Sequence, residues 1–186
     1  MAFFAIPLPD EGKARINEGL AALRKDWPDV RWVHPEDYHF TLRFLGGLQP
    51  EAMTRLLTVV KGGGLPFPPF TLNLQGISSF PPQRDRGVLW IGLNLMPPEM
   101  LDLQMRLEQA VQAWGFEAET RPFTPHLTIG RFKNHDAAGI MERLPEFAAQ
   151  DFGQFTCREY ALMKRRYGAR DHEARPLYEV LARFPV

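Results

Sequence analysis

Residues 38–45 alternate between apolar and polar. Phe40, Leu42 and Phe44 fall on one side and His39, Thr41 and Arg43 on the other, which is the two-residue period of a strand with one buried face. The same period returns over residues 123–132, where Leu127 and Ile129 oppose His126 and Thr128. Elsewhere the period is helical. Ile16, Leu20, Leu23 and Trp27 share one face after Asp10. Met53, Leu56, Leu57 and Val60 share a second, and Met100, Leu103, Leu107, Val111 and Trp114 a third. A weaker helical pattern covers residues 136–144. The apolar run at 2–6 and the segments 30–33, 70–77, 88–95, 155–163 and 177–184 read as strands. Gly46-Gly47, the glycines at 62–64 and Gly115 stop the elements before them, Pro97-Pro98 suit a helix start, and the loop from Pro81 to Gly87 predicts a hairpin. Hairpin-joined strands interleaved with helices predict an α+β fold with largely antiparallel sheets.

The two alternating strands carry one motif twice. His39-Phe40-Thr41-Leu42 and His126-Leu127-Thr128-Ile129 both read His, apolar, Thr, aliphatic, and they lie 87 residues apart, about half the chain. Such spacing points to a duplicated half. On a strand, residues i and i+2 share a face, so each imidazole stands beside a hydroxyl while the residue between them anchors the strand in its core. Two imidazoles suit in-line displacement at phosphorus, one taking a proton from water and the other giving one to the leaving oxygen. The threonine hydroxyls can donate to nonbridging phosphate oxygens. A cyclic phosphodiester needs no metal in this scheme, and on chemical grounds the acid and base roles are interchangeable. The competing reading of a lone His-x-Thr is an ordinary strand, since Thr favours strands. Two copies with the same face polarity argue against it.

Composition narrows the partners. Lys plus Arg balances Asp plus Glu at 22 each, so any nucleic-acid contact needs a local basic patch. The segment from Lys164 to Arg175, with Lys164, Arg165, Arg166, Arg170 and Arg175, is the candidate, and its competing reading is a solvated hairpin tip. Phe80, Trp90 and Tyr167 are candidates to stack on a base, with the core as the default for Trp90. One cysteine, Cys157, excludes an internal disulfide and a cysteine zinc set, and its alternation places it in the core. His34, His135 and His172 sit beside turn-forming or charged residues, show no metal-helix spacing and are expected to be exposed, so no metal or cofactor is expected. The N-terminus lacks a basic signal-peptide region and no apolar run nears 18 residues, so a cytoplasmic protein without a membrane span is expected.

The chain resembles the bacterial and archaeal RNA 2′,3′-cyclic phosphodiesterases, also called 2′-5′ RNA ligases, of the two-histidine phosphoesterase superfamily. The resemblance rests on Phe3-Phe4-Ala5-Ile6, Trp32-Val33 with Pro35-Glu36, His39-Phe40-Thr41 followed by Leu-Arg-Phe-Leu-Gly, and Pro125-His126-Leu127-Thr128 with Arg131. It runs from about residue 2 to residue 184. It implies one two-lobed domain over residues 1–186, α+β, with two largely antiparallel sheets related by a pseudo-twofold, helices on the outer faces and a cleft between the lobes. It implies hydrolysis of RNA 2′,3′-cyclic phosphate ends to 2′-phosphomonoesters, with 2′-5′ ligation as the reverse. His39 would then be the general acid and His126 the general base, with Thr41, Thr128 and Arg131 on the phosphate. Strict alternation sets Arg131 opposite His126 unless Gly130 supplies a bulge. Arg43 reads equally as a site residue or a structural ion-pair partner. A monomer acting on RNA ends or small nucleotides is expected. The alternatives are a phosphodiesterase for a small cyclic or 2′-5′ nucleotide, or a nucleotide- or RNA-binding module with little turnover.

Overall fold

In the computed structural model, described for residues 1–83, 86–133, 136–168 and 176–186, β1 (Ala2–Pro7) is buried from Ala2 to Ile6. Its fully apolar run fits a strand covered on both faces, and Pro7 and Pro9 end it. The helical stretch after Asp10 divides at Leu20 into α1 (Asp10–Gly19) and α2 (Ala21–Asp26). A two-residue β2 (Arg31–Trp32) and a 3-10 turn over Pro35–Asp37 lead into β3 (His39–Gly46). Then come α3 (Pro50–Val60), β4 (Phe70–Gln83), β5 (Arg86–Leu93), α4 (Pro98–Ala113) and β6 (Leu127–Lys133). Pro50 and Pro98 occupy first helical positions, where a missing N–H costs nothing. The last elements are α5 (Ala137–Arg143), a 3-10 turn over Leu144–Phe147, β7 (Asp151–Cys157), β8 (Glu159–Arg165) and β9 (Tyr178–Pro185).

The strands follow the order β7-β4-β5-β6-β3-β1-β8-β9, with β2 added to β6, and every pairing is antiparallel. The order is symmetric about the β6–β3 junction, with four strands on each side and a motif strand innermost in each half. The two expected sheets are hydrogen-bonded into one, through a single residue pair, Phe40 with Leu127. The segment expected as one strand over 155–163 is split at exposed Arg158 into the end of β7 and the start of β8. Cys157 pairs with Phe70 at one end of the order, while Glu159 pairs with Pro185 at the other. One residue cannot span a flat sheet, so the sheet bends until its ends approach.

All five helices bury apolar residues in one large core, through Ile16, Leu23, Leu56, Leu107 and Ile140 among others. The core-facing sheet positions meet them there, including Phe40, Leu42, Leu127 and Ile129. A second, smaller cluster of Phe3, Ala5, Ala161 and Met163, with Phe44 and Tyr178 packed on it, lies on the opposite face of the β3-β1-β8 half. That face carries the candidate chemistry. Among the described residues, no helix is long and apolar enough to cross a membrane.

Candidate active site

Both motif strands break their alternation at the same place. In β3, Ala5 pairs with Thr41 and Phe4 with Arg43, so Leu42 is the extra residue of a bulge. In β6, Trp90 pairs with Thr128 and Leu89 with Gly130, so Ile129 is the extra residue. Each bulge places two successive residues toward the large core, Leu42-Arg43 in one strand and Ile129-Gly130 in the other. The fifth residue after each histidine then returns to the histidine face. Arg131 is that residue in β6. It pairs with Val88, one strand position from Leu89 and two from Trp90, and so shares the face of Thr128 and His126. Gly130 is what the core side permits there: a Cβ would lie 2.7 Å from Val30 Cγ1.

The Phe40–Leu127 register, carried one residue each way, sets His39 across from Thr128 and Thr41 across from His126. The two histidines are held alike. His39 Nδ1 lies 2.6 Å from the Asp37 carbonyl oxygen and His126 Nδ1 lies 2.8 Å from that of Thr124. A carbonyl only accepts, so each Nδ1 carries the proton and each neutral ring keeps its lone pair on Nε2. Their surroundings differ. The His39 ring stacks on Phe3 at 4.9 Å and meets the edge of Tyr178 at 5.4 Å. Phe80 meets the His126 ring at 4.8 Å, and Trp90 at 6.3 Å. Burial draws the His39 pKa down to about 4, with further lowering from the nearby charges of His126 and Arg131 and partial opposition from the Asp37 carbonyl. Burial lowers His126 as well, the Thr124 carbonyl opposing it and Arg131 adding to it. A cavity of about 390 Å³ opens beside His126, with Thr41, Phe80, Gln104, Arg121 and Phe123 on its walls. The register and the β6 bulge thus bring all five expected site residues to one face of the sheet: two imidazoles, two hydroxyls and one guanidinium.

The 2′-5′ RNA ligase superfamily model matches residues 5–169. The chain belongs to that superfamily. It is 31% identical over 184 residues to a Geobacillus stearothermophilus protein named RNA 2′,3′-cyclic phosphodiesterase, covering 99% of this chain and 56% of that one. A protein of the same name from Methanothermobacter thermautotrophicus is 30% identical over 166 residues, 88% of each chain. Among solved structures, E. coli LigT complexed with 3′-AMP aligns over 100% of this chain and 97% of its own at 26% identity, with a TM-score of 0.76. The superfamily assignment and these likenesses agree with a two-histidine phosphoesterase.

Other residues of this superfamily member fall differently from the alternation pattern. Arg43 is on the core side, 6% exposed, where it donates to the Glu108 carboxylate and to the carbonyls of Phe44 and Glu117. It is the structural ion-pair partner, and its carbonyl contact ties β3 to the segment leading to His126. Phe44, expected on the core face, stacks on Phe3 instead. Trp90 is on the histidine face against Phe80 and not in the core. Cys157 is buried, and burial pushes its thiol up to about 12, away from nucleophile chemistry. His34 Nδ1 accepts from the Glu36 N–H at 3.2 Å and caps the turn before β3. Among the described residues no three His, Cys, Asp or Glu side chains group as metal ligands. Lys164 and Arg166 both pair with Glu179, and Tyr167 is fully exposed. Arg170, Arg175, His135 and His172 lie outside the described residues. Asp37 went unnoticed in the sequence because its partners are some 140 residues away.

Proposed function

We propose that the chain hydrolyses RNA 2′,3′-cyclic phosphate ends to 2′-phosphomonoesters without a metal. The observation that carries this reading is the matched pair of histidines, each with Nδ1–H on the carbonyl two residues earlier, which leaves the lone pair on Nε2. The relatives' names and the nucleotide bound to E. coli LigT support a nucleotide end as substrate. His126 Nε2 takes a proton from water as its oxygen attacks phosphorus. The bond from phosphorus to O3′ breaks, and His39, protonated on Nε2, gives that proton to O3′. Thr41, Thr128 and Arg131 hold the nonbridging oxygens, whose charge grows in the transition state. The phosphate's negative charge favours the imidazolium form of His39, offsetting the burial that disfavours it. With an RNA 5′-hydroxyl attacking in place of water, and the same P–O3′ bond breaking, the site would make a 2′-5′ bond. One chain supplies both histidines, so a monomer suffices.

The test is an RNA oligomer ending in a 2′,3′-cyclic phosphate, incubated with purified protein in EDTA beside His39→Ala and His126→Ala. Expected is ring opening to a 2′-phosphate, with each variant slower by roughly 10²–10⁴-fold. Activity that requires added metal, or that survives both substitutions, refutes the mechanism. Binding without turnover supports the nucleotide-binding alternative, and turnover confined to mononucleotides supports a small-molecule substrate.

A further inference from the structure

We propose that Asp37 is a positioning residue for His39 that holds the ring from two directions at once. The main-chain carbonyl of Asp37 takes the His39 Nδ1–H at 2.6 Å. Its side chain, 2% exposed, reaches across to the start of β9. There Oδ2 accepts the Leu177 N–H at 2.7 Å and Oδ1 accepts the Tyr178 N–H at 3.1 Å. Tyr178 in turn presents its ring to His39 at 87° and 5.4 Å, and packs edge-on against Phe3, the ring stacked under His39. One residue therefore selects the tautomer and anchors the aromatic wall that fixes the ring plane.

Burying a carboxylate is costly unless its oxygens are hydrogen-bonded. Both are, by the two backbone donors. Burial nevertheless raises its pKa, the two N–H donors and the nearby charges of His34 and Arg166 only partly opposing this. Such an expensive group is out of proportion to merely joining a strand end to a turn. The other half of the fold lacks it: the equivalent residue two positions before His126 is Thr124. The device belongs to one histidine, which makes the two proton-transfer partners mechanically unequal.

This inference rests on reading His39 as a proton donor, and the experiment separates the two. Asp37→Asn keeps the volume, but its amide can accept only one of the two N–H groups and turns a donor on the other. On an RNA 2′,3′-cyclic end, expected is a fall in kcat of about 10–100-fold, the range that a misplaced catalytic group costs, with KM within about twofold. Two-bond 1H–15N NMR correlations of the histidine rings provide the second readout. His39 is expected to leave the pure Nδ1–H pattern while His126 keeps it. Unchanged kcat with an unchanged His39 pattern overturns the proposal, and so does a loss in which both histidines shift together. Should Asp37→Asn fail to fold, Tyr178→Leu takes its place, with the same selective change expected at His39 and an unchanged His39 overturning the proposal. If the wild type opens no cyclic phosphate, the proposed function fails, while the NMR comparison still decides whether Asp37 sets His39.

Discussion

Replacing Arg43 with methionine separates its two sequence-level readings. Its guanidinium is buried, paired with Glu108 and bonded to two main-chain carbonyls. Glu108 also accepts the Glu119 N–H at 3.0 Å and the Gln112 amide at 2.9 Å. Removing one partner of a buried pair costs about 3–5 kcal/mol, because the other charge is left behind. Glu108 keeps some solvent contact at 17% side-chain exposure, so the low end, about 3 kcal/mol, is expected. In urea, with a slope of about 2–3 kcal/mol per molar for a chain of this size, the unfolding midpoint should fall by roughly 1–1.5 M. Adding Glu108→Gln removes the stranded charge but keeps an acceptor for Glu119, and should return at least half of the loss. kcat at a temperature where the variant is fully folded should change far less than in His39→Ala. A midpoint shift under about 0.3 M, or a double variant no better than the single, refutes the structural account. A kcat loss as large as that of His39→Ala in a stable protein makes Arg43 part of the site after all.

Gly130→Ala drives a Cβ to 2.7 Å from Val30 Cγ1 and should cost about 1–3 kcal/mol; Val30→Ala should be less harmful in that background than in the wild type, which thermal unfolding measures. His39 has a folded pKa of about 4 against an unperturbed 6.5, so the unfolded chain binds its proton first. The stability from keeping the ring neutral is complete above about pH 6.5 and is lost as pH falls toward 4; in His39→Gln the melting temperature should fall less over that window. Arg131→Met should raise both histidine pKa values in NMR titrations, because its charge lowers each, and slow hydrolysis; unmoved titrations would place the guanidinium away from the cleft. Adding 2′-AMP to the wild type should raise the His39 pKa, and a fall would contradict an anion seated beside it.

The motif strands were legible because alternation and chemistry coincide: Phe40 and Leu127 must be buried, and the histidines and threonines then have one face left. Helix positions followed equally well from the spacing of Ile16, Leu56 and Leu107. The bulges were harder. A charged residue at 43 reads as solvent-facing under strict alternation, although Glu108 makes the core tolerable to it, and only Gly130 hinted at a break in β6. The division of residues 151–165 into β7 and β8 is set by pairing with β4 and β1, from opposite ends of the sheet, which no local pattern records. Asp37 and Tyr178 meet across 141 residues of chain; a polar residue before a motif strand carries no mark of such a partner.

The twin bulges have a consequence for substrate orientation. A site with strict twofold symmetry would accept a phosphodiester in two orientations related by that axis, and one of them would present the wrong oxygen to the acid. The fifth residue after each histidine is where the halves part company: Arg131 in one, Phe44 in the other. A cation on one side and an aromatic ring on the other give the site a front and a back, so the RNA end proposed as substrate is expected to enter in one sense only. The bulges themselves are alike in the two strands; the unlike residues they turn toward the histidines, Arg131 and Phe44, are what give the cradle a direction.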